Sequence, residues 1–255
     1  MNIYQEILVA KESGQKLLAV LIDPEKIQID QIYSFVKLVN ESIATHIFVG
    51  GSTDRDHKIE SVVREIKNYT TLPIILFPGN ADQITSEADG ILFLSLISGR
   101  NPEYLIDQQI DAALEIQKSG LEVIPTGYIL IDGGKETSVQ RVSKTNPIPQ
   151  TEYELILKTA LAGEFSGKQL IYLEAGSGAK NPVGAVVVNC VKSKLKIPLV
   201  VGGGIHSINQ LNNAYNSGAD MAVIGTAFEN DLTFFNQIKK GENQPIIKSE
   251  SNRYE

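Results

Sequence analysis

Tyr172-Leu-Glu-Ala-Gly-Ser-Gly178 is an apolar run that ends in small residues, and Val201-Gly-Gly-Gly-Ile205 and Ile224-Gly-Thr226 repeat the pattern. Each is followed by a segment that reads as a helix. Strand ends stripped of side chains offer bare backbone N–H groups, which suit a small anion, most simply a phosphate. One such turn is weak evidence. Three in series, spaced by one strand-plus-helix unit, are far more specific.

Working outward, apolar runs of strand length recur at 17–22, 47–49, 74–77, 91–96, 123–131, 170–173, 199–201 and 221–224. They are continuously apolar, as expected for parallel strands buried on both faces. Segments with helical periodicity lie between most of them, at 29–39, 59–66, 102–116, 151–162, 183–191 and 208–217. This alternation predicts an α/β fold, a (β/α)8 TIM barrel. The connection 78–90 is too short for a full crossover helix; 81–88 has room for about two turns. The stretch 132–149 opens with Asp132-Gly-Gly134 and is polar, which predicts a long loop over the barrel mouth. The barrel is expected to occupy residues 1–242, and 243–255 a polar tail.

The bulk numbers narrow the function. The chain has 255 residues, 42% hydrophobic and 21% charged, with a net charge of −7. That length suits one barrel domain. The acidic balance argues against a nucleic-acid surface. No apolar run approaches a membrane span, and the N-terminus does not read as a signal peptide, so a soluble cytoplasmic protein is expected. The single cysteine, Cys190, is expected to be a small buried hydrophobe.

In such barrels the active site forms at the C-terminal strand ends. The first strand ends in Asp23-Pro24-Glu25-Lys26 and the second in Gly50-Gly51-Ser52. Asp23 and the Ser52 hydroxyl offer hard oxygen ligands on neighbouring strands, which suit Mg²⁺. Asp23 also reads as the cap of the next helix. Glu174 could accept a proton from a substrate hydroxyl or hold that hydroxyl; pairing with a Lys or Arg is the structural alternative. Ser177, Gly178, Gly203, Gly204, Gly225 and Thr226 form the expected anion cradle, unless the glycines serve only tight turns. His46 reads as structural, His57 as solvated, and His206 as a neighbour of the cradle or a surface residue. No Ser/His/Asp arrangement is legible, which disfavours nucleophilic hydrolysis.

At these residues the chain resembles the geranylgeranylglyceryl-phosphate synthases and the related heptaprenylglyceryl-phosphate synthases. The matching pieces are Leu21-Ile-Asp-Pro-Glu-Lys26, Val49-Gly-Gly-Ser-Thr53, Leu76-Phe-Pro-Gly-Asn80, Pro125-Thr-Gly-Tyr-Ile-Leu130 and the three strand ends quoted first. Their wording is similar to the second of the family's two groups. The resemblance implies a prenyltransferase that joins sn-glycerol 1-phosphate to a polyprenyl diphosphate, geranylgeranyl being the expected chain, and releases diphosphate. It implies a modified barrel whose third helix is replaced by a short segment, in agreement with the short 78–90 connection. It also implies Mg²⁺ on Asp23 and Ser52. Glycerol 1-phosphate would be held by Tyr172, Leu173, Glu174, Ala175, Gly176, Ser177, Gly178, Gly203, Gly204, Gly225 and Thr226, with Glu174 as the catalytic group. A homo-oligomer is expected on the same ground.

A prenyl chain needs an apolar trough, worth about 0.8 kcal/mol per buried CH₂. The gap left by the short connection, with Ile97, Tyr104 and Leu105 near it, is the candidate. Tyr104 either limits chain length there or is ordinary helix packing. Two other readings stand beside this one: a phosphate-binding barrel of the isomerase or lyase type, and a non-catalytic glycerol-phosphate-binding protein. The first lacks an obvious second acid or embedded Lys at the strand ends. Against the second stands the joint presence of Asp23, Ser52 and Glu174.

Overall fold

The computed structural model describes residues 2–51 and 58–241. Strands β1 (Leu17–Ile22), β2 (His46–Val49), β3 (Ile74–Leu76), β4 (Gly90–Leu96), β5 (Glu122–Leu130), β6 (Leu170–Glu174), β7 (Leu199–Gly202) and β8 (Met221–Ile224) close into one barrel in sequence order. Every neighbouring pair is parallel, and β8 pairs with β1 from Leu17↔Met221 to Val20↔Ile224. The eight expected runs are therefore the eight strands, with ends shifted by one residue at most.

The continuous apolar runs divide by period two into two cores. Leu18, Val20 and Ile22 of β1 pack outward with Ile47, Val49, Ile171 and Leu173 against the helices. Leu17 and Ala19 point inward with Phe48, Ile75, Leu92, Ile124, Tyr172 and Val223 and fill the barrel. Nearly all positions on both faces of the strands are buried or half-buried, with Val123 near the start of β5 exposed, so the sequence shows no strand alternation.

The outer layer contains α2 (Ile32–Glu41), α3 (Ile59–Lys67), α4 (Gln108–Ser119), α6 (Tyr153–Phe165), α7 (Ala185–Lys192) and α8 (Ile208–Asn216). All six match the helical periodicities. Four further helices were not anticipated. The first, α1 (Ile3–Ser13), closes the bottom of the barrel, with Ile3, Ile7 and Ala10 buried in the interior core. Asn2 caps it by accepting from Gln5 N, and Glu122 at the foot of β5 accepts from Ile3 N and Tyr4 N at 2.6 and 2.8 Å. A short α5 (Ser138–Ser143), capped by Thr137, sits inside the polar loop after β5. The chain beyond β8 forms α9 (Thr226–Asn230) and α10 (Phe234–Gln237), where Phe228 stacks on Phe235 at 4.1 Å.

Between β3 and β4 no helical turn forms, so the two turns allowed for 81–88 are absent. Thr85 Oγ1 accepts from Glu87 N, a local bond that competes with helix formation. Side chains replace the missing helical bonds: Gln83 Oε1 accepts from Gly79 N, and Gln108 Oε1 from Ala81 N at 2.7 Å. Cys190 is half-buried on α7, not buried, with its sulfur 3.9 Å from the Tyr153 carbonyl. The expected tail, 243–255, lies outside the described residues, as do Ser52 and His57. Among the described residues no helix is long and apolar enough to cross a membrane.

Candidate active site

A cavity of about 340 Å³ opens at the C-terminal ends of the strands and runs out through the gap between β3 and β4. Ser177 and Gly178 after β6, Gly203 and Gly204 after β7, and Gly225 and Thr226 after β8 all line it. The Ser177 and Thr226 hydroxyls stand 3.1 Å apart, tying the first of these loops to the last. Gly203 is required twice over. Its φ of 81° lies in the left-handed region, and a Cβ there would overlap Glu174 Oε1 and Gly176 N. The small residues therefore do more than make turns, because the backbones approach the carboxylate directly.

Within the run Tyr172–Gly178, strand geometry separates the residues. Tyr172 and Glu174 face the cavity, whereas Leu173 and Ala175 belong to the outer core. The side chains of Leu173 and Ala175 thus cannot reach a ligand in the mouth. Gly176 N–H is already donated to Glu174 Oε1 at 2.6 Å, so it is not free for an anion.

Glu174 ends β6 and is 5% exposed. Among the described residues it has no Lys or Arg partner. Burial pushes its pKa up to about 7, against the opposing pull of the Tyr172 hydroxyl and the Gly176 N–H. A carboxyl with that pKa takes and releases protons near neutrality. The buried Tyr172 hydroxyl meets no partner in full hydrogen-bond geometry, although it lies close enough to Glu174 to affect it. It is a donor left over at the floor of the cavity.

Across the mouth, Asp23 follows β1. Its Oδ1 accepts from Glu25 N at 3.1 Å, a bond within the turn 24–26 and not the helix cap expected as its alternative role, because the N-cap positions of the next helices are Gln28 and Gln31; its Oδ2 lies 3.2 Å from Lys26 Nζ. Both carboxylate oxygens are thus engaged, Oδ1 by the turn and Oδ2 by the ion pair with Lys26. Lys26 also pairs with Glu229 on α9 at 2.9 Å. Burial lowers the Lys26 pKa, but the two carboxylates outweigh it and the net shift is upward. Glu229 is a mouth residue that the sequence did not signal, since only the return of the chain after β8 brings it to Asp23. His206 lines the cavity with Nε2 3.3 Å from the Ala179 carbonyl, while His46 is buried at the foot of β2.

The trough is apolar. Phe77, Tyr128 and Tyr172 form its inner wall, with Phe77 stacked on Tyr172 at 5.5 Å. Ile84, Ile91, Ala112 and Ile116 line the far part, where a third helix would otherwise pack. Tyr104 lines it as well, on the π-helical turn Glu103–Asp107 that leads into α4. Ile97 and Leu105 do not line it. Ile97 packs against Gly127 and Gly163, and the Leu105 carbonyl takes the Ser95 hydroxyl. Ser138, Val139 and Val142 of the loop after β5 reach the cavity, as expected of a loop over the mouth.

The PcrB family model matches residues 11–242. The chain is 58% identical over 229 residues to the geranylgeranylglyceryl phosphate synthase of Zunongwangia profunda, covering 90% of this chain and 97% of that one. It is 53% identical over 234 residues to the protein of the same name from Flavobacterium johnsoniae, covering 92% and 96%. A solved structure, (S)-3-O-geranylgeranylglyceryl phosphate synthase from Thermoplasma acidophilum in complex with sn-glycerol-1-phosphate, superposes with a TM-score of 0.88 at 34% identity. That match covers 93% of this chain and 95% of the other.

Proposed function

Because the chain belongs to the PcrB family, we propose that it is a prenyltransferase joining sn-glycerol 1-phosphate to a polyprenyl diphosphate, with loss of diphosphate. The observation that carries this reading is the juxtaposition of a backbone anion cradle, a buried carboxyl with a pKa near 7, and an apolar trough opening into the same cavity. A phosphate ester of a polyol fits the cradle and a hydrocarbon chain fits the trough. The glycerol-phosphate complex of the Thermoplasma protein supports the first half.

The chemistry follows from the placement. Ser177, Thr226 and the backbone N–H groups around Gly178 and Gly204 grip the phosphate. Anchored at that end, the glycerol hydroxyl lies against Glu174, which holds it and takes its proton as the C–O bond forms. The Phe77–Tyr128–Tyr172 wall excludes water from an allylic carbon placed beside the hydroxyl, at about 3–3.5 Å in a reactive complex.

Mg²⁺ is proposed as the cofactor. Asp23 is a partly exposed hard oxygen donor, packed against the bare backbone of Gly51, with Ser52 next in the chain. Among the described residues there is no cluster of three or more His, Cys, Asp or Glu. A one-carboxylate site suits Mg²⁺, which keeps waters and ligand phosphates in its shell. When bound, Mg²⁺ would neutralise charge on the departing diphosphate. We also propose a cytoplasmic homo-oligomer. Exposed Ile106, Ile110 and Leu114, each four residues apart and 52–69% exposed, form an apolar stripe that a second copy would cover.

The test is incubation with labelled sn-glycerol 1-phosphate and geranylgeranyl diphosphate, with Mg²⁺ or excess chelator. An organic-soluble product that needs the metal is the expected result. No product under any condition overturns the reading, and full turnover in chelator overturns the metal assignment alone.

A further inference from the structure

We propose that Lys135 is the side-chain counter-ion of the phosphate held in the β6–β8 cradle, a role the loop after β5 is built to deliver. The inference rests on the glycerol-phosphate reading of that cradle and adds the charge that its neutral donors lack. Lys135 Nζ lies 3.1 Å from the point where a Cβ on Gly178 would stand, and Thr226 Cγ2 lies 3.8 Å from the same point. The ammonium and the Thr226 side chain therefore flank the Gly178 backbone, which itself lines the cavity.

The position of Lys135 is not incidental. The Gly133 carbonyl accepts from both Lys180 N and Asn181 N at 2.9 Å, so the loop is clamped onto the segment that follows the cradle. Gln150 Nε2 donates to the Asp132 carbonyl at 2.8 Å and holds the loop from the other side. Gly133 has no room for a side chain, because its Cβ would come 2.5 Å from the Ala175 carbonyl oxygen and 2.6 Å from Ala179 Cβ. Asp132-Gly-Gly134 thus lets the backbone lie flat on the β6 loop, and the next side chain falls at the cradle.

Charge points the same way. Among the described residues Lys135 has no ion-pair partner. The neighbouring acids are engaged: Glu136 faces Arg141 at 3.8 Å, and Asp132 Oδ1 accepts from Gly134 N. Lys26, which lines the cavity, is held by Asp23 and Glu229. A phosphate dianion placed near Glu174 in a protein of net charge −7 needs a local cation, and Lys135 is placed to supply it.

The test compares wild type, Lys135→Met and Lys135→Arg by calorimetry, with inorganic phosphate and with sn-glycerol 1-phosphate, and by steady-state kinetics. Loss of one charge-assisted bond predicts weakening of both ligands by about 10- to 100-fold in Lys135→Met. Lys135→Arg should recover most of that loss. The KM for glycerol phosphate should rise while kcat at saturation and the KM for the prenyl diphosphate stay put. Binding within twofold of wild type in Lys135→Met, or a rise in the diphosphate KM instead, overturns the proposal. If wild type binds inorganic phosphate in a Lys135-dependent way but not glycerol 1-phosphate, the Lys135 role survives and the glycerol-phosphate reading falls. If wild type binds neither, both fall.

Discussion

At the scale of single residues, the site turns on what burial does to Glu174. A carboxyl in water is ionised at neutral pH and is a weak base; the pKa of about 7 imposed by the barrel interior makes this one a better base. The initial rate should therefore rise with pH, reach half its maximum near pH 7 and level off above. Glu174→Gln keeps the shape, loses the proton acceptor, and should lower kcat by about 10²- to 10⁴-fold while the glycerol-phosphate dissociation constant changes only a few-fold. Equal losses in binding and turnover would make Glu174 a holding residue only. The period-two geometry of β6 accounts for the rest. It turns Tyr172 and Glu174 into the cavity and Leu173 and Ala175 away from it, a division that a continuously apolar strand conceals.

At the scale of elements, the absent helix between β3 and β4 is the main departure from a regular barrel. Thr85 diverts the backbone into a local turn, and Gln83 and Gln108 take up N–H groups that a helix would have satisfied. The uncovered faces of β4 and α4 then become walls of the trough, with Tyr104 among its lining residues. Replacing Tyr104 with alanine removes a ring from that wall and should shift the preferred prenyl diphosphate toward longer chains, read as relative kcat/KM across C15 to C35 substrates. An unchanged preference would leave Tyr104 as packing. Ile84, Ala112 and Ile116 line the deeper part, out of reach of any argument from sequence spacing alone.

At the scale of the whole molecule, stability depends on pH through two buried groups of opposite sign. His46 is buried at the foot of β2, and burial lowers its pKa from 6.5 to about 4. The unfolded chain takes up the proton first as pH falls, so this contribution is present above pH 6.5 and is lost progressively toward pH 4. A shift of this size is worth about 3 kcal/mol at most. Glu174 runs the other way: its raised pKa makes the folded state relatively more stable below pH 4.5 and costs stability as pH rises through 7. Urea melts between pH 7 and pH 4 should show the His46 loss steepened in Glu174→Gln, where the opposing group is gone, and flattened in His46→Leu. Identical slopes in all three proteins would rule out both assignments.

The order of the strands, the six helices between them and the three glycine-rich strand ends were legible in the chain, because each is a local matter of periodicity and of backbone freed from side chains. The short third connection was legible for the same reason, by counting residues. The α1 plug was not read, although Asn2, Ile3, Ile7, Ala10 and Gly14 carry its cap and spacing; its apolar face acquires meaning only against the open foot of a barrel. Glu229, Gln108 and Lys135 belong to segments far apart in sequence. Their positions around the mouth depend on closure of the sheet on itself and on one loop lying flat on the next. Contacts of that kind are set by the packing of whole elements, and no local pattern of residues records them.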